Sequence, residues 1–265
     1  MKHAYMLVYL IATLVFLITI IRFVSYGITF NPLPELFLGA SLLISTAAII
    51  IRVFIVDLET FSASLLQTAA LDSPKTLNPS RFFNVMPIAM IVCTIADFLI
   101  RKDFAIGMLT FLAAQTLYLS AYSGIIPLLN LKTLFSGKTQ LLTVTVTLGW
   151  AFITTIIYVF LLFNPEEVLT LAILPYVIVL CLMVIITYLL LIRYPDRPLK
   201  FRIMLAGGGT SFFISDAILG INRFTTPIPV ADLWIHPSYL LAVFLLQYSV
   251  LFVRSTPEKS IYINH

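Results

Sequence analysis

Hydrophobic residues in this chain come in blocks of about 20, separated by short polar connections; a helix needs about that many apolar residues to cross the ~30 Å hydrocarbon core of a bilayer. The strands of a membrane barrel would instead show an alternating pattern. The blocks therefore predict an all-α fold, a polytopic membrane helix bundle that forms a single integral membrane domain over residues 1–265. The eight predicted transmembrane helices lie at 4–22, 37–56, 82–100, 104–122, 141–162, 169–192, 202–221 and 237–253.

The segment 57–81 does not fit this pattern clearly. Phe61 to Leu71 is only moderately apolar, and it follows the acidic residues Asp57 and Glu59. Two interpretations stay open for this segment: a helix lying at the membrane interface, or a ninth crossing.

Lysines and arginines set the predicted orientation, because they are enriched in short cytoplasmic loops. Placing both termini in the cytoplasm puts most of the 16 Lys and Arg residues on that side. Arg22, Arg101, Lys102 and Arg223 then lie outside. A ninth crossing would reverse the first loops and leave the last six predicted spans unchanged. The predicted location is the inner or plasma membrane if the chain is bacterial.

Composition excludes the soluble classes of protein. The chain is 60% hydrophobic and 11% charged, whereas a soluble domain is about one quarter charged. Cys93 and Cys181 fall within spans and indicate buried apolar positions rather than a disulfide. His3, His236 and His265 do not form a metal-binding set, so no metal and no cofactor are predicted. The basic residues are spread over loops, which gives no support to a nucleic-acid partner.

Two aspartates, Asp97 and Asp216, lie inside apolar runs. A charge at that depth costs at least ~2.5 kcal/mol, so such residues are typical of functional sites. Asp97 precedes Arg101 by four residues and Asp216 precedes Arg223 by seven, which places the two acids ~6 and ~10 Å below the outer ends of their helices. Their matched depth predicts that they meet inside the bundle. The alternative is a structural role, with each acid paired to one of these arginines.

Further polar residues recur at helical spacing on single faces of three predicted spans. Because lipid offers them no hydrogen bonds, they should face the bundle interior and line one polar cavity. The alternative is that each one only bonds a neighbouring helix, a contact worth ~0.6 kcal/mol. The faces comprise Phe111, Gln115, Tyr118 and Tyr122; His236, Tyr239, Val243 and Gln247; and Tyr176 with Met183.

Around these residues the chain resembles the lysoplasmalogenase family of membrane proteins, also called YhhN-like. The family shows a G-D acid in one span, then a helix of the form F-x-x-G-x-x-x-F-x-x-x-H-x-x-Y, and later F-x-x-S-D-x-x-x-x-x-N-[KR]-F. The resemblance covers residues 78–253. In the first motif Ala96-Asp97 stands for G-D, with alanine in place of the glycine, and Phe104, Gly107, Phe111 and Tyr118 follow in register. The residues that match the second motif are Phe212, Ser215, Asp216, Asn222, Arg223 and Phe224.

Two further positions depart from the family motifs. Gln115 stands where the histidine is usual, and Val243 stands where a glutamine is expected, with Gln247 one turn later. Both aspartates of the motifs are intact.

The resemblance implies an activity. Members of the family hydrolyse the vinyl ether bond of lysoplasmalogens and release a fatty aldehyde and glycerophosphoethanolamine or glycerophosphocholine. A vinyl ether is hydrolysed by proton transfer to its β-carbon, followed by capture of the oxocarbenium ion by water, and two carboxyl groups in different surroundings suit these steps. Asp216, one turn after Phe212 and Phe213, is assigned the role of acid. Asp97, with Arg101 four residues later, is assigned the role of ionised partner.

The predicted partners are therefore a lysophospholipid substrate, in the form of a lysoplasmalogen, and the membrane lipids. The catalytic residues are predicted to be Asp97 and Asp216. Arg101, Lys102 and Arg223 either receive the substrate phosphate or anchor the helices at the interface. The predicted substrate-binding residues are Gln115, Tyr118, Tyr176, Ser215, Asn222, Arg223, Tyr239 and Arg101.

The substrate would need a cavity with an apolar branch, open sideways or to the outer surface, and its predicted wall includes Phe111, Tyr118, Phe212 and Tyr239. Two other functions stay open from the sequence. Buried acids can also bind a proton or a cation in a transporter or channel, and the chain could be a membrane protein without turnover. The sequence does not specify the oligomeric state.

Overall fold

The computed structural model describes residues 79–128, 130, 135 and 137–252. The first two predicted spans and most of the segment 57–81 lie outside the described residues. Within them every regular element is a helix, so the all-α prediction is confirmed there. The helices are α1 (Pro79–Leu99), α2 (Phe104–Tyr122), α3 (Gln140–Ile156), α4 (Val168–Ala172), α5 (Leu174–Arg193), α6 (Leu199–Phe224) and α7 (Asp232–Ser249).

Five stretches of these helices are long and apolar enough to cross a membrane, which supports an integral membrane protein. The last predicted span, 237–253, coincides largely with α7, which is not among the five. The total of eight spans stays a prediction, because 4–22 and 37–56 lie outside the described residues. The five stretches are Arg81–Leu99, Phe104–Tyr122, Gln140–Leu162, Val168–Arg193 and Leu199–Phe224.

Local sequence signals explain several helix ends. Asp103 has an extended backbone and caps α2, with its side chain accepting a hydrogen bond from the backbone N–H of Ile106 at 3.0 Å. Pro175 stands in the first turn of α5, where a missing N–H costs nothing. The helix α3 does not end at Ile156 but continues as a π-helical segment, Ile157–Leu162.

Glycines allow the closest helix contacts. A Cβ atom at Gly107 would lie 2.3 Å from the backbone Cα of Ile100, so α2 can turn back against the end of α1 only with glycine there. A Cβ at Gly208 would lie 2.8 Å from Cγ of Leu246, where α6 meets α7. A Cβ at Gly209 would lie 2.8 Å from Oγ1 of Thr187.

The core lies between α1, α2, α5, α6 and α7. Its largest fully buried side chains are aromatic or long and apolar, among them Phe82, Tyr118, Phe201 and Phe212. The helix α3 packs mainly against α5 and leaves most of its surface outside the core, with Leu141 80% exposed. Such an apolar outer surface is what a lipid-facing helix requires.

Candidate active site

The carboxyl group of Asp216 accepts a hydrogen bond from a tyrosine on a neighbouring helix. Asp216 lies in the fifth turn of α6, and the hydroxyl of Tyr176, in the first turn of α5, donates a hydrogen bond to its Oδ2 atom. Arg223, the sequence neighbour considered as its partner, is exposed at the end of α6. Its guanidinium carbon lies 5.5 Å from the centre of the Phe104 ring.

Asp97 has a matching arrangement. It is 2% exposed near the end of α1, and the hydroxyl of Tyr239 on α7 donates a hydrogen bond to its Oδ2 atom at 3.0 Å. The carboxyl group of each aspartate therefore accepts a hydrogen bond from a tyrosine on another helix. A buried carboxylate needs such donors, because leaving it without a partner is costly.

Two features connect the Asp97–Tyr239 and Asp216–Tyr176 pairs. The thiol of Cys93, one turn before Asp97, is close enough to both carboxylates for their charges to act on it. Phe212, one turn before Asp216, packs edge-on against Tyr239 with ring centres 5.4 Å apart. The matched depth of the two acids also predicts carboxyl oxygens within about 8 Å of each other, close enough for two acids to flank a bond and a water. This separation stays a prediction.

A cavity opens beside Asp216. Tyr176, Asp216 and Thr154 provide polar atoms in a wall that is otherwise apolar, and half-buried residues such as Phe104 and Leu219 bring it to the surface of the bundle. The π-helical segment contributes Ile157 and Leu162 to this wall. The remaining lining residues are Met108, Ile173, Val177, Leu180, Phe213, Ala217, Gly220 and Phe224.

The predicted wall of Phe111, Tyr118, Phe212 and Tyr239 is wrong for this cavity, because none of the four is among the residues that line it. Three of them pack against one another instead. The ring centres of Phe111 and Phe212 are 6.3 Å apart, and those of Phe111 and Tyr239 are 5.9 Å apart. This aromatic cluster joins α2, α6 and α7.

A second groove adjoins the cavity. It runs along α2 and the short helix α4, and it shares Met108, Ile173 and Tyr176 with the cavity at Asp216. Its outer part includes Leu109, which is 64% exposed. Ala105, Leu112, Leu169 and Ala172 complete its lining. A continuous apolar surface therefore leads from the outside of the bundle to the hydroxyl of Tyr176.

The other predicted substrate-binding residues fall into two groups. Gln115 is fully buried beside Tyr176, and Tyr118 accepts a hydrogen bond from Nε2 of Gln247 at 3.2 Å. Ser215 donates to the backbone carbonyl of Ile235 at 3.1 Å, which ties α6 to α7.

The second group lies at the ends of helices. Asn222 accepts a hydrogen bond from the backbone N–H of Ile228 at 2.8 Å and so closes the turn after α6. Arg101 is exposed just after α1, and its charge acts on His236 near the start of α7. Arg223 lies over Phe104, as described above. These residues surround one end of the bundle rather than the cavity itself.

Several residues near the acids were not predicted from the sequence. Cys93 was interpreted as a small apolar residue, although its position one turn before Asp97 on the same helix face could have indicated a place in the site. Thr154 and Met108 line the cavity but carry no sequence signal that separates them from ordinary core residues. Among the described residues no group of three or more His, Cys, Asp or Glu side chains could hold a metal ion.

The fold and the site together define an α-helical integral membrane protein with a buried and a half-buried aspartate, each hydrogen-bonded by a tyrosine. The chain belongs to the YhhN family, whose model matches residues 58–250. This confirms the family predicted from the two aspartate motifs. None of the curated proteins and none of the solved structures matches the chain.

Proposed function

We propose that this protein is a lysoplasmalogenase-like hydrolase, which cleaves the vinyl ether bond of a lysoplasmalogen with Asp97 and Asp216. The observation that supports this most is the position of Asp216. Its carboxyl group is bonded to Tyr176 in a cavity that is walled by apolar side chains and reaches the surface of the bundle. An acid in such a place can contact the reacting end of a lipid while the lipid stays in the membrane.

The proposed reaction begins with proton transfer from Asp216 to the β-carbon of the vinyl ether. This forms an oxocarbenium ion, which Asp97 stabilises with its negative charge. Water then adds to the cationic carbon and loses a proton to the Asp216 carboxylate. The resulting hemiacetal collapses to a fatty aldehyde and a glycerophospho-base. Asp216 is given the role of acid because it lines the cavity, whereas Asp97 is enclosed and bonded to Tyr239.

The groove between α2 and α4 suits the alkyl chain of the substrate. Its lining is apolar except for the Tyr176 hydroxyl, so a hydrocarbon chain would lose no hydrogen bonds there. The chain would enter past the exposed Leu109 and bring its vinyl ether end to Tyr176 and Asp216. Arg101, Lys102 and Arg223, exposed at the ends of α1 and α6, are suited to the substrate phosphate.

Replacing Asp216 by asparagine tests the proposal. Asparagine has nearly the same size and can still accept the hydrogen bond from Tyr176, but it cannot deliver a proton. Aldehyde release should therefore fall by at least the ~10²–10⁴-fold that acid–base catalysis contributes. The melting temperature should hold or rise, because the change removes the cost of a charge within the membrane.

The matched control is Asp196→Asn, at an exposed position between α5 and α6, which should leave aldehyde release unchanged. A stable Asp216→Asn variant with full activity would refute the role of Asp216 as the acid. An unstable variant would support a structural role instead, since removing one partner of a buried ion pair costs ~3–5 kcal/mol.

A further inference from the structure

Gln115 and Gln247 are both buried in the core, yet their amide groups differ. Gln247 donates from Nε2 to the backbone carbonyl of Met86 and to the hydroxyl of Tyr118, each at 3.2 Å. Gln115 is 0% exposed, and neither its Nε2 nor its Oε1 atom makes a hydrogen bond of normal geometry with the described residues, although the amide lies close enough to the Tyr176 hydroxyl to act on it. An amide buried in this way is destabilising unless its partners come from outside the described residues.

The surroundings of Gln115 place it between the two aspartate–tyrosine pairs. It lies beside the Tyr176 hydroxyl, which bonds Asp216. One turn earlier on α2, Phe111 packs against Tyr239, which bonds Asp97.

The groove also leads towards Gln115. Met108 and Leu112 line it, and the spacing 108, 112 and 115 puts all three side chains on one face of α2. Gln115 therefore lies on the groove-facing side of α2, about one turn beyond Leu112 and deeper in the bundle.

The donor and acceptor groups of the Gln115 amide determine which chemical group can be its partner. Nε2 offers hydrogen-bond donors and Oε1 offers an acceptor, and one hydroxyl group can satisfy both, because it accepts through its oxygen and donates its hydrogen. We infer that Gln115 binds an O–H group between the Asp97–Tyr239 and Asp216–Tyr176 pairs. This inference rests on the proposed function. The hydroxyl has two possible sources there: the water consumed in hydrolysis, or the free glycerol hydroxyl next to the ether of a lysophospholipid.

The test compares wild-type protein with Gln115→Met, which keeps the volume and removes the amide. Two saturated 1-O-alkyl lysophospholipids serve as binding probes, one with the glycerol hydroxyl and one lacking it. Because they cannot be hydrolysed, their Kd values are independent of turnover. The two matching vinyl ethers serve as substrates for kcat and KM. The control is Gln247→Met, which should lower the melting temperature because it leaves Tyr118 and Met86 without their bonds, whereas Gln115→Met should not.

The two sources predict different results. If Gln115 binds the glycerol hydroxyl, wild-type protein should prefer the hydroxyl probe by at least about tenfold in Kd, the equivalent of one hydrogen bond, and Gln115→Met should abolish that preference. If Gln115 binds the water, Gln115→Met should lower kcat by about tenfold or more on both vinyl ethers while the Kd values hold.

An unchanged preference together with an unchanged kcat would overturn the inference. So would equal losses in Gln115→Met and Gln247→Met, since these would reflect structure alone. If wild-type protein prefers the hydroxyl probe but releases no aldehyde, the proposed function is refuted, whereas the inference that Gln115 binds a hydroxyl group stands. Wild-type protein that does neither would refute both.

Discussion

At the level of single residues, the hydroxyl groups of Tyr176 and Tyr239 give the two aspartates their protein partners. A tyrosine can donate to a carboxylate without bringing a second charge into the membrane. This arrangement suits an acid that has to react, whereas a buried arginine would hold the acid in an ion pair.

Tyr176→Phe should lower aldehyde release without unfolding the protein. The change removes the donor that orients the Asp216 carboxyl, and we expect a loss of about tenfold, as for one hydrogen bond. Steady-state kinetics on purified protein measure the effect.

The matched control for this change is Tyr188→Phe. The hydroxyl of Tyr188 also bridges α5 and α6, where it lies 3.1 Å from Oγ1 of Thr210, but away from the acid. Its removal should cost stability of the same order and leave turnover alone. Equal effects of the two changes on turnover would contradict a specific role for Tyr176.

The two acids could be predicted from the sequence because a carboxylate inside an apolar run is costly and therefore conspicuous. The tyrosines that donate hydrogen bonds to them could not be predicted. Tyr176 is 40 residues from Asp216, and Tyr239 is 142 residues from Asp97. The arginine that follows Asp216 on its own helix was the visible candidate, but Arg223 lies over the Phe104 ring. Helical spacing predicts neighbours on the same helix, whereas contacts between helices depend on how the bundle packs.

At the level of helices, α6 is positioned by its glycines. Gly208 and Gly209 are the close-packing positions, where α6 meets Leu246 of α7 and Thr187 of α5. Gly207 faces only Leu245 at an ordinary contact distance of 3.4 Å. Gly208 and Gly209 therefore set the distance of α6 from α7 and α5, and with it the place of Asp216, two turns after Gly209 on α6.

Gly208→Ala should destabilise the protein by about 1–3 kcal/mol, because the new methyl group would overpack the contact with Leu246. The neighbouring change Gly207→Ala has room for its methyl group and should be neutral or stabilising by up to about 1 kcal/mol, since alanine favours the helix. Thermal unfolding in detergent compares the two variants. A Gly208→Ala variant as stable as Gly207→Ala would show that the α6–α7 contact is looser than described.

The sequence predicts one regular span over 141–162, but its last residues, Ile157–Leu162, form a π-helical segment after α3. The N–H of Phe163 donates to the carbonyl of Tyr158, five residues earlier, at 2.8 Å. Tyr158 also donates its hydroxyl to the carbonyl of Thr170 at 3.0 Å. Hydrophobic periodicity cannot indicate such a segment, because these contacts form only once α3 packs near α4. The segment supplies Ile157 and Leu162 to the cavity wall, and π-helical turns are frequent at functional sites.

At the level of the whole molecule, the length of the apolar blocks was enough to predict an all-α membrane protein, because the bilayer thickness fixes the length of a spanning helix. The cavity at Asp216 is not lined by the four residues of the predicted wall. Aromatic residues on polar faces were expected to surround a ligand, and Phe111, Phe212 and Tyr239 pack on one another instead. The orientation, with both termini in the cytoplasm, stays a prediction.

The central claim is that the protein cleaves a vinyl ether, and aldehyde release by the purified protein tests it most directly. The full chain would be reconstituted in lipid bilayers with a lysoplasmalogen, and separately with the saturated ether of the same chain length. The account predicts a fatty aldehyde and a glycerophospho-base in equal amounts from the vinyl ether, and neither product from the saturated ether. Absence of aldehyde above the level of the Asp216→Asn variant would contradict it.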